Sequence, residues 1–208
     1  MSEAKVNYTN KDSVEIRGTV SFGKGISLGT NVIFDGDVVL SDNVVIGDFV
    51  KITNSTIKAN SEIKEYSLIE NAEIGSNSFV GPYARIRPQS KIGDNCQIGN
   101  FVEIKNSSIS NMVRINHMAF IGDALIEDDV TIGAGVITCN HDGIKTNQTI
   151  IKRGAYIGSN SNLVAPLKIF EEAVIGSGST IDEDVPGGKL TLARVRQKVI
   201  ESWKGFKN

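Results

Sequence analysis

The stretch Ile86-Arg87-Pro88-Gln89-Ser90-Lys91-Ile92-Gly93-Asp94-Asn95-Cys96-Gln97-Ile98-Gly99-Asn100-Phe101-Val102-Glu103-Ile104-Lys105 decides the fold. Isoleucine recurs at every sixth residue, and a small or β-branched residue stands two places before it, at Ser90, Cys96 and Val102. Residues two apart in a strand share a face, so both sets point to one interior. The pattern runs outward in both directions. Upstream lie Ile16, Phe22, Leu28, Phe34, Leu40, Ile46, Ile52, Ile57, Ile63, Ile69, Ile74 and Val80. Downstream come Ile109, Ile115, Ile121, Ile126, Ile132 and Thr138, then Ile151, Ile157, Leu163, Ile169, Ile175 and Ile181. Such a repeat is the mark of a solenoid, in which each coil buries its apolar ladder against its neighbours.

Four steps in the series are five residues long: 52 to 57, 69 to 74, 104 to 109 and 121 to 126. They are three, six and three repeat steps apart, so all fall at one corner of a coil with three sides. The long gap from 138 to 151 falls at that corner too. The expectation is an all-β, three-sided parallel β-helix over residues 13–186, of about nine coils and roughly 43 Å tall at ~4.8 Å per coil.

Composition agrees. Among 208 residues there are 27 Ile and 19 Val against 8 Leu and 3 Met, a choice that suits a pleated surface and excludes a helical bundle. A net charge of −2 gives no bulk attraction to nucleic acid. Cys96 and Cys139 are too few for a disulfide framework or a cysteine-based zinc site. No stretch approaches the roughly 18 apolar residues of a membrane span, and Met1–Asn7 has no signal-peptide core. A cytoplasmic location without membrane or nucleic-acid partners is expected.

After Pro186-Gly187-Gly188 the character changes. Leu192, Val195, Val199 and Trp203 fall at helical spacing, with Lys189, Arg194, Arg196, Lys198, Lys204 and Lys207 among them. Residues 187–208 therefore read as a partly helical arm, either a cap on the open end of the prism or a cationic arm for a phosphate-bearing ligand.

The residue after each inward Ile at the special corner points outward, giving the column Glu70, Arg87, Lys105, Gly122. Arg87 and Lys105 lie one coil apart, about 5 Å, and two cations at that distance repel unless anions balance them. Either Glu70 and Glu103 solvate the pair, or the pair holds an anion such as phosphate. His117 stands two places after Ile115, at a turn, and so does not enter the Ile ladder. It is a surface histidine or a general base, since an exposed imidazole titrates near neutrality. His141 lies in the inserted loop, where Asp142-Gly143 reads as a turn. Two histidines without a ligand cluster make a poor metal site, and none is expected.

Beyond these residue-level readings, the chain resembles the hexapeptide acyltransferases, whose prisms have left-handed crossovers. More closely, it is similar to the C-terminal acetyltransferase domain of the bacterial bifunctional N-acetylglucosamine-1-phosphate uridyltransferase/glucosamine-1-phosphate acetyltransferases. The stretches that carry the resemblance are Gly81-Pro82-Tyr83-Ala84-Arg85-Ile86-Arg87-Pro88, Ile98-Gly99-Asn100-Phe101-Val102-Glu103-Ile104-Lys105, Ile132-Gly133-Ala134-Gly135-Val136-Ile137-Thr138-Cys139-Asn140 and Leu163-Val164-Ala165-Pro166. The resemblance implies His117 as catalytic base and Arg87 and Lys105 as sugar-phosphate ligands. It implies Ala134, Asn140, Ser159 and Arg194 as acetyl-coenzyme A contacts, and a homotrimer with sites between prisms.

Several positions depart from the family. Phe120 replaces a phosphate-binding tyrosine, Thr131 an asparagine ligand, and Thr146 a loop lysine, with Lys145 one place away. His141 stands for a tyrosine beside the coenzyme, and Ser177 where alanine is common. The expected reaction is acetyl transfer from acetyl-coenzyme A to the amine of a phosphorylated amino sugar, glucosamine-1-phosphate above all. The departures keep open a nucleotide-linked amino sugar as acceptor, or a non-catalytic prism that binds coenzyme A. With about a dozen residues before the first hexad, no uridyl transfer and no metal requirement are expected.

Overall fold

A computed structural model describes residues 6–199 and 201–202. Short strands, most of two to four residues, wind around a three-sided prism, and every pairing between coils is parallel and in register. The first face is an eleven-stranded sheet running from Asn7–Tyr8 through Gln97–Asn100 and Arg114–His117 to Leu190–Thr191. The second face carries Glu103–Lys105 and Phe120–Gly122, and the third carries Ser108–Ile109 and Ala124–Ile126. These two faces join in one seventeen-stranded sheet through Glu15–Phe22 and Ile33–Leu40, which pair along all eight residues and run around the corner.

The core is the Ile ladder. Ile86, Ile104, Ile115 and Ile121 are completely buried, as are most members of the series, and Cys96, Val102 and Ala119 fill the small inward slots beside them. Thr138 takes its place in the ladder with its hydroxyl satisfied: it accepts from Gly122 N–H at 2.8 Å and lies 3.1 Å from the Gly122 carbonyl. Burial raises the Cys96 thiol above its usual range, which suits a packing role. All short steps, and the insertion after Thr138, lie between the second and third faces.

Three points differ from the sequence reading. Eleven rungs on the first face give a height of roughly 48 Å, because pairing continues to Asn7–Tyr8 below and Leu190–Thr191 above the hexads that were counted. Ile16 is 48% exposed, since among the described residues its strand pairs only with the one above it. Residues 192–199 form no helix: Val195 and Val199 face solvent, and so short a helix with no apolar face to bury is unstable in water. Trp203, Lys204 and Lys207 lie outside the described residues.

The corners turn through residues with positive φ. Between the second and third faces these are mostly amides, including Asn54, Asn71, Gln89 and Asn106. Asparagine tolerates this left-handed conformation better than other side chains with a Cβ. Between the first and second faces the same position holds Phe49, Tyr66, Tyr83 and Phe101, about half exposed and stacked with centroids 5.0, 4.9 and 5.4 Å apart. Offset stacking at this separation offsets some of the backbone cost.

Candidate active site

The register of the first face assembles one half of the site. Asn100 pairs with His117, and the pairings Ile115–Ile132, Ile132–Ile157, Ile157–Ile175 and Ile175–Thr191 carry the alignment upward. Residues two places beyond each partner therefore stack as Asn100, His117, Ala134, Ser159, Ser177 and Ala193. At His117 this corner changes character. Below are the rings ending at Phe101, and above are small residues flanked by Gly133, Gly158 and Gly176. The backbone there leaves no space for larger ones: a Cβ on Gly133 would lie 2.6 Å from Ser159 N, and one on Gly158 would lie 2.4 Å from Ser177 N. A column of small side chains thus rises from His117.

Arg194 follows the uppermost residue of that column, Ala193. Leu192 seats a methyl against Gly176, Thr180 N–H donates to the Ala193 carbonyl at 3.1 Å, and Ala193 N–H donates to Ser179 Oγ at 3.2 Å. The arm is thus held in register with the column, and exposed Arg194 follows directly. Sequence patterning assigned this segment to a helix and so did not reveal the arrangement.

His117 is exposed, and its Nδ1 lies 2.7 Å from Asn100 Oδ1. The amide oxygen can only accept, so this contact is a hydrogen bond when Nδ1 carries the proton, the tautomer that leaves the Nε2 lone pair free. Asn100 was not singled out from the sequence, although it lies 17 residues before His117, one coil below it.

The second half of the site lies across the second face. Arg87 and Lys105 belong to the column at its far edge, stacked through the bond from Arg87 N–H to the Ile104 carbonyl. Arg87 leans back over the face: its Nη1 meets Glu103 Oε1 at 2.8 Å, and Glu103 is the outward residue at the middle of that face. Among the described residues Lys105 has no ion pair, so of the two counter-charges considered only Glu103 is engaged. Phe120 stands directly above Glu103, between Lys105 and His117, with its ring edge over Gly122. Thr131 is on the first face, paired with Arg114 and Tyr156, away from this surface.

Asn140 is buried, and its amide donates to Asp123, which also accepts from Asn106. Its carbonyl accepts from Asn147 N–H at 2.7 Å. Asn140 therefore fixes the base of the inserted loop. Beneath the loop lies a polar cleft of about 550 Å³ bordered by Lys91, Asn106, Asp123 and Thr146. The loop tip is a turn centred on Asp142, and His141 and Lys145 are exposed on it.

Donors from Lys145 N–H, Ile144 N–H and the Asn147 amide hold the Asp142 carboxyl at about 2, below its ordinary 3.8. A depressed value means the carboxylate supports the closed loop fully above about pH 4, and this support is lost as pH falls toward 2. The amide proton shifts of Ile144 and Lys145 should therefore titrate with a midpoint near pH 2. A midpoint near 4 would show that these donors do not hold the carboxylate.

Residues 71–106 match the family model described as Bacterial transferase hexapeptide (six repeats). Within those residues the chain carries the transferase hexapeptide repeat. Proteins named Bifunctional protein GlmU are similar to half of this hexapeptide prism: 54% identical over 103 residues in Thermosipho africanus, and 56% over 103 residues in Thermotoga petrophila. Each alignment covers 50% of this chain and 23% of the relative, so the match spans about a quarter of the relatives' length.

Among solved structures, a UDP-N-acetylglucosamine acyltransferase, LpxA, from Bacteroides fragilis superposes with a TM-score of 0.65. It is 22% identical and covers 73% of this prism and 65% of that chain. LpxA from Acinetobacter baumannii superposes with a TM-score of 0.57 at 17% identity, covering 88% and 70%. These two share the solenoid architecture. No described helix is long and apolar enough to cross a membrane, and no group of three or more potential metal ligands occurs among the described residues.

Proposed function

We propose that this chain transfers an acetyl group from acetyl-coenzyme A to the amine of a phosphorylated amino sugar, with glucosamine-1-phosphate as the best-fitting acceptor. The observation that carries the reading is His117, its Nδ1 engaged by Asn100, at the foot of a column of small residues that leads past Ala134 and Ser159 to Arg194. A slender pantetheine chain suits a path along such small side chains. A phosphate at its far end would meet Arg194, and the acetyl end would arrive beside the base. The similarity to the GlmU proteins supports the same assignment.

In the reaction the amine nitrogen bonds to the acetyl carbonyl carbon, and the carbon–sulfur bond breaks. Nε2 of His117 takes the proton from the amine and returns it to the departing thiolate. Lys105, with Arg87 beside it, receives the sugar phosphate from the far edge of the face, so the acceptor lies over Phe120 with its amine toward His117. Asn140 lies at the other corner of the second face, so it would serve the coenzyme of a neighbouring prism, by fixing the loop presented to it. A second prism beside this face would shut water out, and we propose a homotrimer on the left-handed coil of the family.

Phe120 favours one further reading. Its ring occupies the floor between base and cations and has no hydroxyl to offer a phosphate. Losing such a buried bond removes roughly 1–3 kcal/mol, so a larger, nucleotide-linked amino sugar is the second candidate acceptor. Thiol release from acetyl-coenzyme A across a panel of amino sugars tests both. Glucosamine-1-phosphate should give the highest kcat/KM, and higher kcat/KM with a nucleotide-linked amino sugar would establish the second reading. No release with any amino sugar, together with measurable coenzyme binding, would leave a binding prism and overturn acetyl transfer.

A further inference from the structure

We infer that Asn100 is a positioning residue, holding the His117 ring as the Nδ1–H tautomer with Nε2 directed away from the prism. Its catalytic meaning rests on the function proposed above, but the tautomer is readable without substrate. Two features show that the contact is built rather than incidental. First, strands on this face elsewhere pair over two residues, whereas Gln97–Asn100 and Arg114–His117 remain paired to the Asn100–His117 level. Second, the coils meet there at a separation that only glycine allows, since a Cβ on Gly99 would lie 1.8 Å from the Asn116 carbonyl oxygen. Drawn together in this way, Asn100 sits directly beneath His117, and its side-chain oxygen reaches Nδ1 at 2.7 Å. The main chain on either side is tied as well: Met118 N–H donates to the Asn100 carbonyl at 2.9 Å, and Gly135 N–H donates to the Met118 carbonyl at 3.1 Å.

The choice of an amide matters chemically. An amide oxygen fixes the tautomer as a carboxylate would, but it carries no charge to favour the imidazolium. Nε2 is thereby left free to gain a proton from the amine and lose it again to the thiolate within one turnover.

The test is nitrogen-resolved NMR of the ¹⁵N-histidine-labelled 208-residue chain, with His117 assigned by its loss in His117→Gln. The wild-type ring should show the Nδ1–H form at a pH where it is neutral. In Asn100→Ala it should revert toward Nε2–H, and kcat should fall by about 10–100-fold with little change in KM. Asn100→Asp should keep the tautomer and raise the pH at which the acidic limb of the kcat profile turns. A wild-type ring in the Nε2–H form would overturn the inference even if Asn100→Ala fails to fold. So would an Asn100→Ala ring that stays Nδ1–H. A wild-type chain with the expected ring signature but no thiol release would overturn the acetyl-transfer reading while supporting the role of Asn100.

Discussion

Replacing His117 by alanine should lower acetyl transfer by about 10²–10⁴-fold at saturating substrates, the range expected for removal of a general base. The imidazole is exposed and lies outside the Ile ladder, so the fold should survive and the loss should be chemical. On the proposed reading the deficit should fall on kcat, because Lys105 and the small-residue column, which would hold the substrates, do not change. Far-UV circular dichroism must match the wild type for the comparison to count. Turnover within a few-fold of normal would place the base elsewhere.

Ile104→Ala should cost about 2–5 kcal/mol in stability, read as a lower midpoint in urea. Ile104 is completely buried between Ile86 below and Ile121 above, all in one register, so truncation opens a cavity that these neighbours cannot fill without breaking their own pairing. Ile16→Ala removes the same atoms from the same repeat position in the lowest described coil, where its strand pairs only with the one above. That change should cost far less, since the side chain is already 48% exposed. Equal losses at the two positions would mean that stacking between coils is not what stabilises the ladder.

Much of this architecture is legible in the sequence because a period of six leaves few alternatives. The inward series, the small slots beside it and the shared corner of the short steps all follow from counting. The exposure of His117 and the stacking of Arg87 with Lys105 follow from the same count. What escaped detection depends on contacts that counting does not weigh. The arm resembled a helix because Leu192, Val195 and Val199 have helical spacing, yet Leu192 finds its apolar partner at Gly176 in an extended conformation and Val195 finds none. Arg87 and Lys105 looked equivalent, but Glu103 pairs with only the first. Asn100 and Asp123 are polar residues whose importance comes from what stands one coil above, and a chain read residue by residue does not draw attention to them.

The stacked corner rings give this prism an internal optical marker. Tyr66 and Tyr83 lie 4.9 Å apart and nearly parallel, and Phe49 and Phe101 flank them. Transition dipoles held so close couple, so the near-ultraviolet dichroism of the two tyrosines reports whether the coils around residues 49–101 are still stacked. Far-ultraviolet dichroism averages over every coil. In a solenoid whose stability is a sum of nearest-neighbour terms, ends can fray before the middle yields. Heating the protein while recording both bands would distinguish a prism that melts as one unit, with superimposed curves, from one that unravels from its upper end, where the backbone signal falls while the tyrosine band persists.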